Sequence, residues 1–261
     1  MKKILFVVGL FSLILASCSS DDTTDETPSP VTPPANITAN LQPVGTSARD
    51  FLTAENFNSI AIDIVHVEGF RPTNESINNL VSFIEERTFK PDGIRVQFTS
   101  IPSNGDNEFS IQEIAEIESE RRTLYNDGDE LTLFIFFADA DSENSEGNSV
   151  VVGAAYRNTS MVIYESTLLR VLSNSNSGLT RTTVESGVLN HEMSHLFGLV
   201  DLGTPLQSDH LDTENGNHCN VPSCLMEFQI DFGAGMAMMA GNVIPQLDPQ
   251  CIADLQANGG R

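Results

Sequence analysis

The chain contains no tryptophan, and its lysines are confined to Lys2, Lys3 and Lys90. Basic residues number 13 against 36 acidic ones, a formal net charge of −23. A surface of that sign repels phosphate backbones, which excludes nucleic acid as a partner. Cysteine is scarce too. Four in 261 residues are too few to staple a fold of this length. Stability must come from a core, and a 40% hydrophobic content can fill one, which excludes wholesale disorder. The apolar run Ile4 to Ala16 is too short to span a bilayer as a mature helix. No internal repeat is present, and the length fits one large domain or two small ones.

The apolar run follows two lysines and ends Leu15-Ala16-Ser17-Cys18, so residues 1–17 read as a signal peptide. The small residues before Cys18 resemble the lipobox of bacterial lipoproteins; an ordinary signal with an incidental cysteine is the alternative. Ser19-Ser20-Asp21-Asp22 resembles the acidic export tag of Bacteroidetes-type surface lipoproteins. These resemblances imply lipid on Cys18 and anchoring at the outer membrane, at the cell surface if the tag acts. Residues 18–48, rich in Ser, Thr, Asp and Pro, carry too little apolar area to fold and are expected to form a disordered tether. Residues 49–261 are then the domain, an upper lobe over 49–198 and a lower lobe over 199–261. Its 11 basic and 32 acidic residues predict repulsion from anionic lipid.

Within that domain the apolar spacing predicts strands at 59–67, 93–101, 131–137, 150–156 and 161–164. It predicts helices at 73–89 and 110–125, the second opened by the capping-box pattern Ser110-Ile-Gln-Glu113. A further helix starts near Thr180, and a short one lies near 252–256. The order is that of an α/β layered sheet of five strands. The acidic loop Asp139–Asn148 offers oxygens of the kind Ca²⁺ takes. The EF-hand spacing fails, with Val150 at position twelve, and the loop is read as solvated.

The chemistry concentrates at His191-Glu192-Met193-Ser194-His195-Leu196-Phe197-Gly198. Residues i and i+4 of a helix share a face, so His191 and His195 can grip one cation, and neutral imidazoles suit Zn²⁺. Glu192, next to the first ligand, is placed to take a proton from a metal-activated water. With five histidines in the chain, an accidental match is rare.

This string resembles the motif of the metzincin zinc peptidases, His-Glu-x-x-His-x-x-Gly-x-x-His (or Asp), followed by a Met-turn. Gly198 stands where that family breaks the helix. Asp201 occupies the third-ligand position. Downstream, His218-Cys219-Asn-Val-Pro-Ser-Cys224-Leu225-Met226 resembles the archaemetzincin pattern of a third His, two cysteines and the Met-turn methionine. The resemblance implies a metzincin-like α/β (α+β) fold: a twisted, mixed five-stranded sheet, an active-site helix and a small irregular C-terminal subdomain with Met226 in its Met-turn. It implies one catalytic zinc on His191, His195 and a third ligand, with His218 favoured over Asp201 and His210. Phe228, two residues after Met226, excludes the tyrosine ligand found there in some metzincins. Cys219 and Cys224, close in sequence in an exported chain, are expected to form a disulfide, with Cys251 free or paired to either. Archaemetzincins use further cysteines for a structural zinc, and a four-Cys set is not available here. The implied activity is that of a monomeric zinc endopeptidase, with Glu192 as general base and a peptide laid along the strand at 150–156. The competing class is a zinc-containing surface adhesin without turnover, in which Glu192 is dispensable.

Overall fold

The computed structural model describes residues 37–261 except 148, 149, 176, 177 and 232. The signal peptide, Cys18, the acidic tag and the tether up to residue 36 lie outside them. All described residues fall in one unit spanning Pro34–Arg261.

Strand β1 (Ser59–Val67) is buried along almost its whole length and pairs in parallel with both β2 (Ile94–Ile101) and β4 (Glu130–Phe137). Strands buried on two faces read as continuous apolar runs, as β4 does. Along β4, Leu131, Leu133, Ile135 and Phe137 face one core with α2 (Asn74–Arg87) and α5 (Arg181–Leu196). Phe134 and Phe136 face a second core with Ile114 of α3 (Ile111–Arg121). β7 (Ser160–Ile163) continues the parallel sheet, and β6 (Gly153–Arg157) closes it as an antiparallel edge, giving the order β2-β1-β4-β7-β6. The sheet is therefore five-stranded, as the pattern predicts, and mixed though mostly parallel.

Helix α3 ends earlier than the expected residue 125. Buried Asp63 of β1 accepts from the backbone N–H groups of Thr123 and Leu124 at 2.7 and 3.1 Å and so pulls the chain out of the helix. β3 (Glu108–Phe109) and β5 (Asp141–Ser142) form a small second sheet. α4 (Glu165–Asn174) follows β7; its Leu168, Leu169, Val171 and Leu172 have helical spacing, but no side chain caps its start. In the acidic loop, the Asp141 carboxylate is taken by Arg170 at 2.7 Å. Neither cluster of metal-ligating side chains among the described residues lies there.

The tether boundary needs correction. Residues 37–48 are packed against the domain. They include a 3-10 turn at Thr38–Asn40 and the start of α1 (Ala48–Leu52). Buried Asn40 donates to Asn126 at 2.8 Å and to Thr159 at 3.1 Å, and Asn158 donates to the Ala39 carbonyl at 2.8 Å. The segment brings little apolar area, with Val44 packed on the core and Ala48 buried, and these polar anchors beside β4 and β7 add to its order. Downstream, Lys90 is buried and donates to the carbonyls of Asp50, Thr53 and Phe57, tying α1 to the sheet.

Candidate metal centre

Helix α5 is buried from Thr183 to Leu196, yet carries Glu185, Ser186, Asn190, His191, Glu192, Ser194 and His195. A helix buried on all sides is ordinarily apolar, and each buried polar group requires a partner. Thr180 caps its start by accepting from the Thr183 N–H. Its end is a Schellman turn: Gly198 N–H donates to His195 O and Leu199 N–H to Ser194 O. Gly198 sits at φ 72°, and a Cβ there would meet Ala48 Cβ at 2.8 Å, so glycine is required on both counts.

Beyond this turn the chain runs through 199–217 and returns His218 to the helix. His191 Nε2 and His195 Nε2 lie 3.1 Å apart, and the His218 ring centroid is 5.4 and 5.1 Å from theirs. Asp231 joins them, with Oδ1 2.8 Å from His191 Nε2 and Oδ2 2.8 Å from His218 Nε2. One donor atom from each of His191, His195, His218 and Asp231 lies within 4.8 Å of the others. Of the three candidates for third ligand, the structure brings only His218 here. Asp201 is exposed at φ 71°, and His210 is buried elsewhere.

Backbone carbonyls hold the outward ring nitrogens: Leu225 O lies 2.6 Å from His191 Nδ1, and Gly216 O 2.7 Å from His218 Nδ1. The Leu225 contact comes from the turn that carries Met226, which is itself fully buried. Phe228 meets the His218 ring edge-on at 5.2 Å. Burial, reinforced by His191, lowers the pKa of His195 to about 3, so its ring is neutral. Burial raises Asp231, but His191 and hydrogen bonds to the histidines outweigh it and hold the carboxylate ionised. Glu192 is pushed well above the carboxylate range, first by burial and then by the charge of Asp231.

Glu192 is fixed by the edge strand. Its Oε2 accepts from the Ala155 N–H at 2.7 Å, while Oε1 is buried and unpartnered. His195 Nδ1 is also buried without a hydrogen bond. A cluster of inward imidazoles, an ionised carboxylate and orphaned polar atoms fits a divalent cation, and the N/O donor set suits zinc. A cleft of about 330 Å³ opens on Glu192, His195, His218 and Asp231, and Gly153–Ala155, Leu202, Asn217 and Val44 also line it.

No family model matches the sequence, and no curated protein does. Solved structures do match. The fold is similar to that of an archaemetzincin. The archaemetzincin of Methanopyrus kandleri superposes with a TM-score of 0.50 at 16% identity, over 77% of this chain and 96% of that one. A zinc-dependent peptidase from Methanocorpusculum labreanum gives 0.44 at 13% identity, over 74% and 99%. Metalloproteinase-II of Bacteroides fragilis gives 0.39 at 12%, over 80% and 55%.

Set on this archaemetzincin-like fold, the expected Cys219–Cys224 disulfide is absent: Cys219, Cys224 and Cys251 are all buried free thiols. The reason is a competing set of partners brought in by residues 210–251. Asp248 Oδ2 accepts from Cys219 Sγ at 3.0 Å, Cys224 and Cys251 sulfurs lie 3.7 Å apart, and His210 Nδ1 is 3.3 Å from Cys219 Sγ. His210 is oriented from behind by buried Asp254, 2.7 Å from Nε2. Hydrogen bonding with Cys219 and then Cys251 lowers the Cys224 thiol, bonding with Cys224 raises Cys219, and bonding with Cys219 and then Cys224 raises Cys251. His210, Cys219, Asp248 and Cys251 form a second group able to hold a metal. The cysteine count had ruled out only a four-Cys set. His210, expected as a candidate third ligand of the catalytic site, belongs to this second group instead; Asp248 and Asp231 are donors missed at the sequence level. The faint sequence signal for Asp248 was its place three residues before Cys251.

Proposed function

We propose that this chain is a zinc-dependent endopeptidase with a single catalytic ion at His191, His195 and His218 and with Glu192 as its general base. The observation that carries this reading is the pairing of three convergent imidazole nitrogens with a buried glutamate pinned to the sheet edge. Bound zinc would supply Lewis acidity, lowering the pKa of a coordinated water and polarising a carbonyl. The chain's own residues do the rest. The Ala155 N–H holds Glu192 Oε2, leaving Oε1 without a partner and free to receive a proton and return it to a leaving amine. The free side of edge strand β6 can take an extended peptide by strand addition, with main-chain hydrogen bonds as the generic affinity. Met226, buried behind the His191 carbonyl contact, supports the site by packing. The second cluster, a mixed thiol and imidazole set, suits a structural zinc of its own.

The test of turnover is Glu192→Gln, assayed on a peptide library. Loss of cleavage by about 10²-fold or more with zinc retained is expected; unchanged cleavage overturns the reading. We further propose that Cys18 is acylated and anchors the enzyme to the outer membrane of a bacterial envelope. Membrane fractionation of Cys18→Ala checks this, and a variant that stays in the membrane fraction refutes it.

A further inference from the structure

Resting on the metallopeptidase reading, we propose that Asp231 is the fourth protein ligand of the cation held by His191, His195 and His218, so that the chain's own carboxylate occupies the remaining position of the resting site. Its two oxygens address two different imidazoles, each at 2.8 Å, and both approaches are to Nε2, the nitrogens that point inward. The outward nitrogens of the same rings are already engaged by Leu225 O and Gly216 O. A carboxylate that only orients a metal-ligating histidine takes the outward nitrogen. Here backbone carbonyls have that part, and Asp231 stands inside the ring of donors. Three imidazoles and one carboxylate make the four-coordinate set zinc prefers.

The placement is built. Asp231 ends a single 3-10 turn, Phe228–Asp231, pinned by buried Ile230. Its carbonyl accepts from the Val152 N–H at 2.9 Å, which fastens the turn to the start of the edge-strand segment. Between Met226 and Asp248 the only carboxylates are Glu227 and Asp231. Glu227 is turned away, accepting from the Ser223 N–H at 2.8 Å. Catalytic zinc sites ordinarily keep an open position, whereas four protein ligands close one. The site is thus closed at rest, and a substrate carbonyl competes with Asp231 for its place.

The experiment measures metal coordination directly. Zinc affinity is determined by competition with a chromophoric chelator for the wild-type protein, Asp231→Asn and Asp231→Ala. Cobalt(II)-loaded samples are then titrated with azide while the visible spectrum is followed. We expect at least ~10-fold weaker zinc binding in both variants. The cobalt spectrum of the wild type is expected to ignore azide, and that of Asp231→Ala to change. Equal zinc affinity in all three proteins, or an azide response already in the wild type, overturns the proposal. Circular dichroism of the metal-free proteins checks folding, and the nearly isosteric Asn variant carries the affinity comparison if Ala does not fold. Neither readout uses peptide turnover, so this proposal and the peptidase reading, tested at Glu192, can fail separately.

Discussion

Gly153 is the residue through which the edge strand controls the general base. A Cβ at this position would lie 2.6 Å from Glu192 Oε1, 2.7 Å from Val188 Cγ1 and 3.1 Å from Glu192 Cγ. Ordinary contacts of this kind fall near 3.5–4.0 Å, so a methyl group demands about 1 Å of relief. Val188 cannot easily give it, because a β-branched side chain in a helix has one favoured rotamer. Glu192 must move, yet its Oε2 is tethered to Ala155 N–H. The remaining direction is toward Asp231 and the histidines. A displacement of about 1 Å in a catalytic group costs on the order of 10²-fold in rate, equivalent to ~2.7 kcal/mol of barrier. Overpacking costs a further ~1–3 kcal/mol of stability. The expected phenotype of Gly153→Ala is therefore a kcat about 10²-fold lower on a peptide substrate, with zinc content unchanged and Tm reduced by several degrees. Gly187→Ala is the control. Its Cβ would meet Met239 Cε at 2.2 Å, but a thioether end can swing away, and alanine favours the helix by ~1 kcal/mol. A Gly153→Ala enzyme with kcat within threefold of wild type would refute the argument that strand β6 positions Glu192.

Two further predictions concern buried groups elsewhere. The free thiols predict that alkylation under denaturing, non-reducing conditions labels Cys219, Cys224 and Cys251, and that the folded protein binds two zinc ions; Cys251→Ala is expected to reduce the count to one, and protection of any two of these thiols from label would restore the disulfide. Glu165 is buried and shares Arg181 with Glu185, and burial followed by the Glu185 charge raises its pKa from 4.5 to about 9. A carboxyl protonated in the folded state stabilises below its unfolded pKa, and that contribution is lost as pH rises from about 4.5 toward about 9. Glu165→Gln is expected to flatten this decline and to gain on the order of 2 kcal/mol at pH 8.5 relative to pH 5 in urea unfolding; parallel profiles for the two proteins would exclude the group as the cause.

The strand and helix order was legible because it rests on local periodicity. β1 declares itself through alternation, β4 through a continuous apolar run and α5 through 3.6-residue spacing, and the Schellman glycine marks where α5 stops. Helix α4 was missed although its spacing is helical, since no capping side chain marks its start; the other misses share a cause, which is partners far away in sequence. Residues 37–48 have the composition of a tether, and Asn40 is ordered by Asn126 and Thr159. Helix α3 stops short because a carboxylate on β1 claims its next N–H groups. Cys219 and Cys224 look like a disulfide pair until α6 (Pro249–Ala257) presents Cys251 and Asp254, and Asp248 ahead of it, to the same point.

The sequence by itself determined the helical histidine pair, the adjacent glutamate and the excess of negative charge, since a spacing of four residues on one helix already sets two imidazoles side by side. Tertiary structure decided everything that needs closure over a long loop. It selected His218 over Asp201 and His210 for the cluster, inserted Asp231 from a turn forty residues after His191, and aimed Glu192 by a hydrogen bond from strand β6. Those contacts depend on how residues 199–261 pack against α5, and no local propensity encodes that distance.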